Sequence, residues 1–97
     1  MLKHVVVWNI RDRSRRAEDG AVVKAALESV RGMIPGLVAI EVGLDMGYDS
    51  GAVDVALYSE FTDRAALDQY QQHPMHLAAK DVVAPLLCDR RVVDWEA

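Results

Sequence analysis

The first strand, Leu2 to Ile10, constrains this chain most, because it is apolar on both of its faces. Val5, Val6, Val7 and Trp8 are strand formers in a row. Alternation places Leu2, Val6, Trp8 and Ile10 on one side, with His4 among them. Val5 and Val7 fall on the other side, between Lys3 and Asn9. A strand of this kind needs a covering layer on each side. Helices of the same chain can supply one layer, so the second has to come from elsewhere.

The rest of the chain supplies that first layer. Ser14 can cap a helix running from Arg15 to Met33, with Val22, Ala26, Val30 and Met33 as its apolar stripe. Gly32 and Pro35-Gly36 end it. Leu37 to Leu44 is a second strand, with Val38, Ile40, Val42 and Leu44 on one face. The turn-rich Asp45–Gly51 joins it in a hairpin to a third strand, Ala52 to Phe61, which carries Val53, Val55, Leu57 and Phe61. Thr62 can cap a second helix from Asp63, with Ala66, Leu67 and Tyr70 inward. Pro74 breaks that helix, Met75 to Val83 resumes it, and Pro85 closes it. Arg90 to Trp95 is the last strand, with Val93 and Trp95 on one face and Val92 on the other.

The order is β-α-β-β-α-β, which predicts an α+β, ferredoxin-like domain. It has a four-stranded antiparallel sheet with two helices on one face. Two helices leave the other sheet face bare, roughly 20 by 25 Å at ordinary strand spacings. About 500 Å² of exposed apolar sheet would rival the largest patch on typical monomers. A second copy packed sheet to sheet is the simplest cover, so a homodimer closing into a dimeric α+β barrel is expected.

With 97 residues the chain fits one domain, residues 1–97. A net charge of −4 argues against nucleic acid as a partner. The basic run Arg11, Arg13, Arg15 and Arg16 reads as a solvated loop and helix start. Apolar runs are too short for a membrane span, and the first residues lack the features of a signal peptide. A cytoplasmic location follows as the default. Cys88, the single cysteine, lies beside Leu86 and Leu87 and reads as a buried, inert thiol.

The chemistry is concentrated in Tyr70-Gln71-Gln72-His73-Pro74-Met75-His76. Imidazole moves protons near neutrality, and a phenol can donate to a developing oxyanion. Tyr70 is also a core candidate, and His73, beside Pro74, can equally cap a helix end. His76 can be an ordinary satisfied polar residue, and His4 an ordinary core histidine. If the His4 face looks toward the helices, however, His4 and Trp8 join Tyr70, His73 and His76 around one pocket. His73-x-x-His76 lacks a third ligand nearby, and no phosphate loop or nucleophile elbow is present. Neither a metal nor a cofactor is expected.

These residues resemble the stress-responsive A/B barrel domain family, often called Dabb proteins. The likeness rests on His4, Pro35-Gly36, Glu41-Val42-Gly43, Phe61-x-Asp63, Tyr70-x-x-His73-Pro74-x-His76 and Val93-Asp94-Trp95. It implies a dimeric barrel of ferredoxin-like subunits, with a small organic molecule as a possible ligand. One plant member is a polyketide cyclase that closes a ring by aldol condensation. In that enzyme the catalytic histidine falls at His76 and the catalytic tyrosine at Tyr70, with the strand-one histidine in the same pocket. The resemblance therefore implies two readings. One is a ligand-binding domain without turnover. The other is a cofactor-independent cyclase-like or isomerase-like enzyme, with His76 as general base and Tyr70 assisting. Toward such a pocket the first helix is expected to offer Ala21, Val22, Ala25 and Ala26.

Overall fold

A computed structural model describes all 97 residues. Strand β1 (Leu2–Ile10) leads through a short 3-10 turn to helix α1 (Arg16–Glu28). Strands β2 (Leu37–Leu44) and β3 (Val55–Phe61) form the hairpin. Helices α2 (Arg64–Gln72) and α3 (Pro74–Val83) follow, and β4 (Leu87–Glu96) ends the chain. The sheet has the order β2-β3-β1-β4 with antiparallel pairs throughout. The helices cover one face, which gives the ferredoxin-like architecture expected from the element order.

Burial alternates along β1: Leu2, His4, Val6, Trp8 and Ile10 are buried under the helices, and Lys3, Val5, Val7 and Asn9 are half-buried opposite. Directly paired residues share a face, so Val93 and Trp95, opposite Val5 and Lys3, stand on the outer side. Val93 is 55% and Trp95 44% exposed. Tyr58, opposite Val5 on the β3 side, joins them. The outer face thus carries Val5, Val7, Val93 and Trp95, with Lys3 donating to Tyr58 Oη at 2.8 Å and to Glu60 at 3.1 Å.

The second helix is cut in two by His73-Pro74. His73 is extended (φ −67°, ψ 134°), as a residue before proline prefers, and it ends α2. Its Nδ1 then accepts the Met75 N–H at 3.1 Å, and Pro74 opens α3 where its missing N–H costs nothing. Asp63, rather than Thr62, caps α2 by accepting from Ala66 N at 2.9 Å. Gly36 (φ +82°) lets the chain turn against α2, where a Cβ would meet the Ala66 methyl at 2.5 Å.

Several boundaries differ from the sequence reading. Helix α1 stops at Glu28, and its buried stripe is Val23 and Leu27, continued by Val30 and Ile34 beyond the helix. Val22 and Met33 face solvent instead. The true stripe also contains Asp19, buried and paired with Arg15 Nε at 3.1 Å, and Gly20, and these two mask it in the sequence. Val38 is exposed because the β2–β3 register slips between Leu37 and Ala39. Leu44, at the end of β2, is exposed as well. Strand β3 begins only at Val55, leaving Val53 outside it, and β4 begins earlier, at Leu87.

The arginine run is not simply solvated. Asp54 is buried at the start of the β3 segment, and Arg13 and Arg16 close on its carboxylate. Its Oδ2 also accepts the Ile10 N–H at 2.7 Å.

Candidate active site

The site lies between sheet and helices, in a cavity of about 510 Å³. Strand β1 brings His4, Val6 and Trp8 to its floor, because their side of the alternation faces the helices. Helix α2 brings Tyr70, on the inward stripe with Ala66 and Leu67. Helix α3, restarted by Pro74, brings His76 and, one turn on, Lys80.

A row of rings runs across the site. His4 lies 6.3 Å from Phe61, Phe61 5.0 Å from Tyr70, and Tyr70 4.2 Å from His76, between ring centroids. The Tyr70 and His76 rings are tilted by 41°. Tyr70 Oη and His76 Nδ1 are both buried, and neither has a hydrogen-bond partner within the protein. Unpartnered buried polar atoms are uncommon, because each forfeits hydration without recovering a bond. Burial pushes the Tyr70 phenol up to about 12, so it is a neutral donor across the physiological range. Burial first, then the nearby Lys80, His4 and His73, lower the His76 pKa below its usual value. At neutral pH His76 is therefore an uncharged base.

His4 is anchored differently. Its Nδ1 bonds the Asp94 carboxylate, which stands opposite it in the β1–β4 ladder. Donation from Nδ1 leaves Nε2 carrying the lone pair of the neutral ring. Asp94 belongs to the Val93-Asp94-Trp95 motif, yet only strand pairing reveals its partner.

The expected site residues divide as follows. His4, Trp8, Tyr70 and His76 share the cavity wall, whereas His73 is absent from that wall because its ring is spent on capping α3. Ala21, Val22 and Ala25 are exposed, and Leu27 represents α1 in the cavity. Cys88, expected to be buried, is half-buried at the rim, where burial and the Asp89 carboxylate raise its pKa. Sequence reasoning passed over Lys80 and Arg90, which also line the cavity. Lys80 follows His76 by four residues, a spacing that could have flagged it. No group of three or more His, Cys, Asp or Glu side chains is arranged to hold a metal ion. No helix is long and apolar enough to cross a membrane.

Sheet, helices and walled cavity define a ferredoxin-like α+β protein with an internal cavity. The chain belongs to the stress responsive A/B barrel domain family, which it matches over residues 2–97. A dimeric protein of unknown function from Bacteroides fragilis is 33% identical, with a TM-score of 0.86 over 99% of this chain and 95% of that one. A dimeric ferredoxin-like protein of unknown function from Thermobifida fusca is 28% identical, with a TM-score of 0.88 over 99% of this chain and 90% of its own. An antibiotic biosynthesis monooxygenase is 22% identical, with a TM-score of 0.77 over 100% of this chain and 98% of that one, a likeness of fold alone. No protein of curated function is significantly similar in sequence.

Proposed function

We propose that this chain works as a homodimer whose subunits each bind a small organic molecule between sheet and helices. The observation that carries the binding reading is that Tyr70 and His76 both line one cavity while their Oη and Nδ1 atoms are buried without a partner. A ligand oxygen that reached either atom on a small movement of the rings would restore a missing hydrogen bond. An apolar body would fill the space beside Val6, Trp8 and Leu57. A thermal-shift screen of small aromatic and carbonyl compounds tests this. A binder at one hundred times its Kd should add about 2.7 kcal/mol of stability. Tyr70→Phe keeps the ring but should weaken that binder about 5- to 10-fold. A screen without a single stabilising compound would sink the reading.

The dimer is supported by the apolar outer face around Val5, Val7, Val93 and Trp95, and by the dimeric state of the Bacteroides and Thermobifida relatives. Light scattering at micromolar concentration should give about twice the 10.7 kDa chain mass. Val7→Asp would bury a charge in each copy at that face and should weaken association at least about 100-fold. A monomeric wild type, or an unperturbed Val7→Asp dimer, would overturn the sheet-to-sheet arrangement.

A second reading has its own support. His76 is held neutral beside a phenol that stays protonated, a pairing suited to removing a proton next to a carbonyl while the phenol steadies the oxygen. On that reading the protein is a cofactor-independent, cyclase-like or isomerase-like enzyme.

A further inference from the structure

We infer that the cavity selects ligands bearing a carboxylate, gripped at its mouth by Lys80 and Arg90; the inference rests on the ligand-binding reading above. Both residues line the cavity, and both are exposed at its edge. They differ from most basic side chains of this protein. Lys3, Arg13, Arg15, Arg16, Lys24 and Arg31 are all tied to carboxylates, while Lys80 and Arg90 have no acidic partner. One carboxylate shares the cavity wall with them: Asp89, which accepts from Asn9 Nδ2 at 3.1 Å and from Cys88 Sγ at 3.5 Å. With two cations against one carboxylate, the mouth keeps a net positive charge in a chain of net charge −4.

The two cations arrive by separate routes. Lys80 stands one helical turn past His76 on α3, close enough for its ammonium to oppose protonation of that ring. Arg90 is placed by a β-bulge. Val7 pairs with Arg91 and Asn9 with Cys88, so Asp89 and Arg90 together oppose Trp8. Asp89 takes the positive φ (57°) found at the first position of one bulge type, which aspartate tolerates. Arg90 then falls on the same side as Val92 and Asp94, which are paired with Val6 and His4. That side faces the cavity.

Between the cations and the Tyr70–His76 pair, the wall is largely apolar: Trp8, Leu57, Val83 and Leu87. The complementary ligand is an aromatic or alicyclic carboxylic acid. Its acid group sits at the mouth, and a second oxygen reaches inward.

The test compares 1-naphthoate with 1-naphthamide, which share size and shape but not charge, by calorimetric titration of the whole protein. The acid should bind about 10-fold tighter than the amide, the scale of a charge-assisted bond at a partly wet site. Lys80→Gln and Arg90→Gln should each cost the acid about 3- to 10-fold and leave the amide unchanged. Lys80→Glu should reverse the preference. Equal binding of acid and amide, or equal losses of both in the glutamine variants, would overturn carboxylate selection and leave the cavity a ligand site. Failure of both compounds to bind at millimolar concentration would overturn the ligand-binding reading, and the selection with it.

Discussion

Replacing Asp54 by alanine should destabilise the fold by about 2–4 kcal/mol, measured by urea unfolding. Asp54 is only 5% exposed, and its carboxylate ties the Ile10–Arg16 stretch to the chain just before β3. It accepts from Ile10 N at 2.7 Å, from Arg16 Nε at 2.8 Å and from Arg13. Alanine leaves the Ile10 N–H buried without that partner. The Arg13 and Arg16 side chains are 61% and 38% exposed, so they can return to water. That keeps the cost below the one for stranding a buried charge. Asp54→Asn, which keeps the shape, should lose less.

The same carboxylate shapes acid stability. Hydrogen bonding from Arg13 foremost, with Arg16 and the Ile10 N–H, outweighs burial and holds it well below the usual range. A group depressed in the folded state stabilises fully above its unfolded value of about 3.9, and that contribution is lost as pH falls toward the folded one. Wild type should thus lose stability steeply below about pH 4, where Asp54→Asn has a shallower slope. Parallel acid profiles for the two proteins would contradict the assignment.

The second large effect belongs to the proton-transfer reading. His76→Ala should reduce turnover of any carbonyl substrate by about 10²–10⁴-fold, the usual contribution of a general base. Cooperative unfolding should persist in the variant. Because the His76 pKa lies below its ordinary value, kcat should already be on its plateau at neutral pH and fall only on acidification. The titratable groups facing it are Lys80, His4 and His73. Removing the first with Lys80→Gln should move the acid limb to higher pH, a shift that a purely structural role for His76 would not produce. Turnover equal in wild type and His76→Ala would exclude this base.

Most of the fold was legible because its signals are local. Alternation in β1, the Gly-rich hairpin and the prolines at 35, 74 and 85 each act within a few residues. The α1 stripe was not, because Asp19 and Gly20 look polar until the Arg15–Asp19 pair is seen. The site divides along the same line. Tyr70 and His76 stand out through one proline-broken motif, and the alternative reading of His73 as a cap matches its bond to Met75 N. Asp94, Asp54 and Arg90 acquire partners or direction only through pairings dozens of residues away, which periodicity cannot report.

The Asp89–Arg90 bulge sets the parity of everything after it in β4. Beyond it, even-numbered residues look toward the helices and odd-numbered ones look outward. Strand parity changes with a single inserted or deleted residue. If Leu87 and Cys88 kept their seats, however, loss of one residue at the bulge would let the ladder close on a single residue opposite Trp8, with Arg91 still opposite Val7 and Asp94 still opposite His4. The bulge thus holds one residue more than the ladder needs, so deleting Arg90 would take its cation from the cavity and leave both faces of the strand beyond it as they are.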